Sequence, residues 1–586
     1  MIATPGSNAF KTDLNQAPWL AHYPQEVPAQ LDYPSFPAWG FLAQTAEKFP
    51  RRTACHYYSQ EISYAELAAN ARKTAAMLVG LGVKPGDRVG ILLPNVPEYL
   101  SILNGIWMAG GVAVALSPLM VAEEVSSMID ATDCKIVVCL DLLAPLVLHG
   151  EKQPDHVLFT TLKDRLAHWQ RFGYAFAKIK RLGFRPMSSH ANLHCFNDVL
   201  EEYDADFEPV KLSDLNTPAF ILPTGGTTGA PKAVTLSHRN LVANAWQLYH
   251  WGNAREGKET MLAVVPFFHS YGLSTCALTG VAMGATMVLH HRFIPRVVIR
   301  LMEQYQPSIF NAVPAMLSAL NEIFRTRPLR NRCMQFCISG GAPLDMSISE
   351  EFSKHTGGIV VEGFGLSEAS PVTHVGPLDG TNRAGTIGLP LPDTEVRIVD
   401  ADTGTRIMPP GEVGELIVRG PQVMLGYWKN QKATDDTIRD GWLFTGDLAT
   451  CDQDGFFTIV DRKKDLIITS GFNVYPNDVE QTLRQFDQIE DVAIVGVSDA
   501  EKGQLVKAVL VPCKGTTVDL KAFDRFAKEH LAKHKRPRIV EVLSEDLPRN
   551  FLGKVQRRHL RPDVLSFEDA YRELSANSQT PISVAE

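Results

Sequence analysis

The chain has 586 residues, 45% of them hydrophobic and 21% charged, with a formal net charge of −8; that length allows about four domains with ample core, and the balance is ordinary for a soluble globular protein. The negative charge argues against bulk nucleic-acid binding. Nine cysteines stand singly, and the close pairs Cys134/Cys139 and Cys333/Cys337 lack zinc-knuckle or redox spacing, which suits reduced thiols in a cytoplasm.

The amino terminus, MIATPGSNAFKTDLNQ, has no apolar core behind a basic start, so no secretory signal is expected. Residues 65–82 read as a helix and VGILL (89–93) as a buried strand. From Tyr99 to Ala122 no charged residue occurs, and that length could cross a bilayer. Asn104, Gly110, Gly111, Ser117 and Pro118 would interrupt a spanning helix, so the expectation is a helix from about Val96 to Ala109, a glycine turn and a strand Val112 to Leu116. KIVVCL (135–140), PAFIL (218–222) and AVVPF (263–267) read as further strands, and strands alternating with helices indicate parallel α/β layers.

Residues 162–185 carry seven Lys and Arg against one Asp, while Leu162, Leu166, Trp169, Phe172, Phe176 and Ile179 recur at helical spacing. Such a segment can make a peripheral contact with an anionic membrane, as on the inner face of the cell membrane. It can equally pack its apolar stripe on the domain as an ordinary surface helix, and Gly173 weakens the helix in both readings. From about 383 to 463 many short strands and turns suggest a β-rich subdomain. Beyond Asp465, helices near Pro476–Phe486 and Leu520–Ala532 alternate with strands. The expected fold class is α/β: a large N-terminal domain over 1–463 and a small mobile α+β domain over 464–586.

Between the strand at 218–222 and a second strand at Val234–Leu236 lies PTGGTTGAP (223–231), followed by Lys232. Three glycines, three threonines and two prolines force a turn here. Backbone N–H groups, hydroxyls and an ammonium together make a phosphate cradle, although a plain surface loop would share the glycines. It is not a Walker A loop, because Pro231 precedes the lysine and Ala233 follows it, nor a GxGxxG turn. Ser237 can cap a helix that begins at His238.

Five further motifs follow in order: SGGAPL (339–344), VEGFGLSEASP (361–371), GWLFTGDL (441–448), DRKKDLIITSGFNVYPNDVE (461–480) and PRNFLGKVQRR (548–558). With the opening loop they resemble the signature motifs of the adenylate-forming superfamily: acyl-CoA synthetases, peptide-synthetase adenylation domains and luciferase-type enzymes. The resemblance covers essentially the whole chain.

That resemblance implies a substrate and site set. Thr224, Gly225, Gly226, Thr227, Thr228, Gly229 and Lys232 would grip the phosphates of ATP, and Glu368 with Thr224 would ligate Mg²⁺. Gly340, Gly341 and Ala342 would form one wall for adenine and Phe364 the other, with Glu362, Gly365 and Ser367 in the same ATP/AMP-binding stretch. The usual residue at 364 is Tyr, so the ring stays and a hydroxyl is lost. Asp447 would accept the ribose hydroxyls beside Arg462. Lys554 would be catalytic, neutralising charge between carboxylate and α-phosphate. Lys464 would be the hinge about which the small domain turns, and Gly471 would then line the CoA channel. A run KHKRPR (533–538) can meet CoA phosphates or form a solvated face.

PWLAHYPQEVP (18–28), the TGGTTG form of the loop and the EGFG order at 362–365 are similar to bacterial long-chain fatty-acid CoA ligases. VPFFHSYGLS (265–274) matches the acyl-pocket region, which would put His269 near the substrate carboxylate. Pro223, Gly225 and Ala233 depart from the common pattern of aromatic, Ser and Gly, a departure that touches substrate identity more than adenylation. The expected activity is therefore ATP-dependent formation of an acyl-AMP from a medium to long fatty acid, then transfer to CoA. The alternatives are transfer to a carrier protein, or a silent lipid- or nucleotide-binding homologue.

Overall fold

The computed structural model describes residues 17–150, 153–163, 174, 192–224, 232–499, 502–550, 553–561 and 583–584. Two compact units divide them: Met1–Val396 with Val418–Leu443 and Asp454–Phe456, and Arg397–Ile417 with Phe444–Gln453 and Phe457–Glu586. The expected segment at 162–185 lies outside the described residues apart from Leu162, Lys163 and Tyr174, whose hydroxyl donates to Asp141.

The first unit holds two large sheets. One runs, in spatial order, Leu389–Pro390, Val372–Val375, Ile359–Gly365, Phe336–Ser339, Ile309–Ala312, Thr260–Ala263, Thr286–Leu289, Thr53–Tyr57 and Gln60–Ser63. From Ile359–Gly365 to Thr53–Tyr57 neighbouring strands are parallel. The other runs Gly426–Tyr427, Lys232–Ser237, Pro218–Thr224, Val112–Ala115, Arg88–Leu92, Cys134–Leu140, His156–Thr160 and Leu193–Cys195. Central strands such as VAVA, TMVL and IFNA are buried at every position, as strands covered by helices on both faces must be.

The uncharged stretch resolves into the helix Pro97–Met108, buried throughout, and the strand Val112–Ala115. Pro97 at the first turn presets the helical φ, and Trp107 satisfies its indole N–H on the Ala219 carbonyl at 2.8 Å. No described helix is long and apolar enough to cross a membrane. Ser237 caps the helix His238–Trp251: its Oγ accepts from the Asn240 N–H at 3.1 Å, and Asn240 returns the bond to the Ser237 N–H at 2.9 Å.

One strand differs from expectation. The ladder covers Thr260–Ala263 and stops where AVVPF was expected to begin. Asn95 explains the stop. Its side-chain amide donates to the carbonyls of Ala263 and Val265 and accepts from the Phe267 N–H, so a buried side chain takes the hydrogen bonds a neighbouring strand would have made.

In the second unit, Ile489–Asp499 and Gly503–Pro512 form a long antiparallel pair, with the helices Pro476–Leu483 and Leu520–His530 on one face. Alternation sorts the sheet's side chains. Val492, Ile494, Val506, Ala508 and Leu510 pack with Val479, Leu483 and Phe523, while Ala493, Val495, Val509 and Val511 face Leu547 and Leu560. Leu547 and Leu560 flank the segment that carries Lys554 and fasten it to the second face.

Candidate active site

The phosphate-loop expectation falls partly outside the described residues: Gly225, Gly226, Thr227, Thr228 and Gly229 do so entirely. The two strands that carry the loop are described, and Thr224 pairs with Lys232 across them. Lys232–Ser237 also pairs with Gly426–Tyr427, placing Tyr427 opposite Val234. The Lys232 ammonium consequently sits 4.7 Å from the centre of the Tyr427 ring. The Tyr427 hydroxyl donates to Glu368 Oε1 at 2.9 Å, and the Met424 N–H donates to the Glu368 carbonyl at 2.8 Å. Burial and the Glu368 carboxylate hold the Tyr427 hydroxyl well above its ordinary pKa, so it stays a donor. Sequence reasoning missed Tyr427, because nothing in LGYW marks a residue whose role arises from strand pairing.

Gly340, Gly341 and Ala342 follow the strand Phe336–Ser339, and Phe364 lies on the adjacent strand Ile359–Gly365. Ser339 registers with Glu362, so both stretches emerge at the carboxyl ends of neighbouring strands, where α/β sheets bind ligands. Gly341 takes a φ of +83°, and a Cβ on Gly365 would stand 2.0 Å from the Pro371 carbonyl oxygen, so glycine is required at both. The Leu344 N–H donates to Glu362 Oε2 at 3.1 Å, tying the Gly340 turn to the next strand. Burial pushes the Glu362 carboxyl up to about 7, against that stabilising bond. Ser367 lies in the turn Ser367–Ala369 with its Oγ 3.1 Å from Ser270 Oγ.

His269 precedes Ser270–Gly272 and accepts the Tyr271 N–H through Nδ1 at 3.2 Å. Burial lowers its pKa to about 4, so the ring is neutral at physiological pH and carries its proton on Nε2.

The second unit gathers Asp447, Arg462 and Lys554. Asp447 on the strand Trp442–Cys451 registers with Arg462 at the end of Phe457–Arg462, and Arg462 Nε meets Asp447 Oδ1 at 2.9 Å. Asp447 Oδ2 is buried and has no hydrogen-bond partner among the described residues. Lys554 lies in a turn closed by Asn550: the Asn550 N–H donates to the Lys554 carbonyl, and the Lys554 N–H donates to Asn550 Oδ1, each at 2.9 Å. Burial, then the charge of Arg462, lower the Lys554 pKa to about 8, while Asp447 opposes the shift. Lys464 sits in the turn Lys463–Asp465 and acts on the same ammonium. Gly471, at φ +80°, and Ser470, at φ +50°, form the two-residue turn between Ile467–Thr469 and Phe472–Val474, the conformation a tight hairpin requires.

This architecture is that of an adenylate-forming enzyme. The AMP-binding enzyme model matches residues 42–428 and the AMP-binding enzyme C-terminal domain model matches residues 478–554. The chain belongs to the AMP-binding enzyme family. It is 36% identical over 550 residues to a long-chain-fatty-acid–CoA ligase of Bacillus subtilis strain 168, covering 93% of this chain and 98% of that protein. It is 32% identical over 519 residues to a feruloyl-CoA synthase of Amycolatopsis, covering 88% and 96%. Among solved structures it resembles ATP-bound MatB from Rhodopseudomonas palustris, with a TM-score of 0.76, 29% identity and coverage of 90% of this chain and 99% of that one.

Proposed function

We propose that this protein joins a medium- to long-chain fatty acid to ATP, giving acyl-AMP and pyrophosphate, and then transfers the acyl group to CoA with release of AMP. The observation that carries the reading is the grouping of Lys554 with Asp447 and Arg462. A carboxylate oxygen attacks the α-phosphorus and the bond to the β-phosphate oxygen breaks. Charge gathers at the α-phosphate and on the departing pyrophosphate, where a poorly solvated ammonium is most effective. Lys554 supplies that charge, Asp447 Oδ2 accepts a ribose hydroxyl, and Arg462 orients Asp447. Thr224, Lys232 and the loop between them hold the phosphates, while Gly340–Ala342 and Phe364 flank adenine.

Glu368 fits a hard divalent cation. It presents a carboxylate on a backbone fixed by Met424, with one oxygen also accepting the Tyr427 hydroxyl. A hard oxygen donor of this kind suits Mg²⁺, and Glu368 with Thr224 would be the residues to hold it. When bound, Mg²⁺ neutralises phosphate charge. In the second half-reaction the small domain turns about Lys464, withdrawing Lys554 and bringing Gly471 to the pantetheine path. His269, neutral, stands by the fatty-acid carboxylate. The free state of all nine cysteines supports a cytoplasmic setting.

The test is AMP release with ATP, Mg²⁺ and acids from acetate to oleate plus benzoate, with and without CoA, using Lys554→Ala as control. CoA-dependent release that peaks at long chains and disappears in the variant is expected. Absence of release with every acid would overturn the reading, and release that needs a carrier-protein thiol instead of CoA would redirect it.

A further inference from the structure

We propose that Arg557 is a positioning residue for Lys554, clamping the lysine's loop onto the helix Pro476–Leu483 and thereby serving adenylation but not thioester formation. The proposal rests on the adenylation role given to Lys554 above.

Lys554 lies near the Asp447–Arg462 pair in a half-buried turn, and its own backbone hydrogen bonds extend no further than Asn550. Such a turn would let a long side chain wander unless both ends were fixed. On the amino-terminal side Arg549 pairs with Asp491, where both side chains are partly exposed. On the carboxyl-terminal side the anchor is buried: Arg557 is 13% exposed and Glu480 6%. Its guanidinium donates to Glu480 Oε1 at 2.7 Å and to Asn477 Oδ1 at 2.9 Å, a two-pronged grip on one helix. Asp465 lies 3.9 Å away on the far side.

Only Val555 and Gln556 separate Arg557 from Lys554, so the clamp fixes the lysine's backbone to within a turn. Every one of these anchors lies beyond Lys464 in the chain. A rotation about that hinge would therefore carry lysine, loop and clamp together, and the clamp has no task once Lys554 has left the site. Glu480 does not depend on Arg557 to remain satisfied, because Oε1 also accepts the Ile494 N–H at 2.8 Å and Arg484 stands 3.6 Å from Oε2. Loss of Arg557 should thus loosen the loop and leave the helix in place.

The experiment measures the two half-reactions separately on the full chain: fatty-acid-dependent ATP–pyrophosphate exchange, and thioester formation from supplied acyl-adenylate and CoA. Arg557→Met is expected to slow exchange about 10- to 100-fold, the scale of a misplaced catalytic group, with thioester formation held within about twofold and Arg557→Lys recovering part of the loss. In a Lys554→Ala background Arg557→Met should add nothing, since both changes remove the same ammonium from the site. The double variant Arg557→Met/Glu480→Gln, which removes the guanidinium and its nearest counter-charge together, should show the same split. Parallel loss of both half-reactions, or additive loss with Lys554→Ala, would overturn the positioning role. Failure of the unsubstituted protein in both half-reactions would instead overturn the proposed function itself.

Discussion

Asp447 holds Arg462 with one carboxylate oxygen, Oδ1 to Nε at 2.9 Å, and keeps the other buried with no hydrogen-bond partner among the described residues. A buried acceptor left unmet costs about 1–3 kcal/mol, more when charged. The turn that presents it is itself fully engaged: Thr445 Oγ1 donates to the Leu416 carbonyl and accepts the Asp447 N–H, and the Gly446 N–H donates to Glu415. The second oxygen is therefore held in place and open to a donor such as the ribose hydroxyl proposed for it.

Asp447→Asn tests this directly. The substitution keeps the shape but removes the charge that would strengthen bonds to ribose hydroxyls, and it deprives Arg462 of its counter-charge. ATP affinity should fall by about 1.5–3 kcal/mol, roughly 10- to 100-fold, in calorimetric titration of the free protein. Unchanged affinity would exclude a ribose role for this carboxylate.

Lys554 gives a pH dependence. Burial and Arg462 lower its pKa to about 8, and the role proposed for it in adenylation uses the charged form. Below about pH 8 the ammonium is present; above it, kcat/KM for adenylation should fall toward tenfold per pH unit. Bound phosphates oppose the shift, so kcat should hold to higher pH. Lys554→Arg, whose charge persists, should lose the alkaline limb even if its peak rate is low. An alkaline limb that survives in the arginine variant would assign it to another group.

The sheet that holds Val112–Ala115 was largely legible in the sequence, because buried parallel strands read as apolar runs between turn signals, whereas of the sheet that holds Phe336–Ser339 only AVVPF stood out. The candidate site was readable only through the resemblance that six motifs carry together, which singled out Asp447, Arg462 and Lys554, since a TGD turn or a Gly-Lys pair alone marks no chemistry. It was illegible where chemistry depends on pairing between distant elements. Tyr427 meets Lys232 and Glu368 only because its strand registers with Val234, and Arg557 meets Glu480 across 77 positions of chain. AVVPF was misread for the same reason, since the Asn95 that ends its ladder stands far upstream.

Tyr427 separates two interactions that one side chain supplies. Tyr427→Phe keeps the ring beneath Lys232 and deletes the hydroxyl on Glu368; Tyr427→Ala deletes both. A lost hydrogen bond to a carboxylate and a lost cation–π contact are each worth about 1–2 kcal/mol in partly buried sites. The Phe variant should therefore alter chiefly the Mg²⁺ concentration for half-maximal pyrophosphate exchange, and the Ala variant should also raise the KM for ATP. Identical behaviour of the two variants would show that the ring does not support Lys232.

Glu362 should make stability depend on pH in the direction opposite to a salt-bridged carboxylate. Burial raises its folded pKa to about 7 from the ordinary 4.5, against the single bond from the Leu344 N–H. Between those values the folded chain keeps a proton that the unfolded chain releases. The contribution is thus fully present below about pH 4.5 and is lost as pH rises through 7. Allowing for partial exposure, it is on the order of 1 kcal/mol. Glu362→Gln keeps an acceptor for Leu344 without the ionisation, so the variant should match the parent near pH 5 and melt higher than it near pH 8. A parent and variant whose melting points differ equally at both pH values would show that Glu362 is ionised in the folded protein, and that its carboxylate is solvated where the Gly340 turn meets the strand Ile359–Gly365.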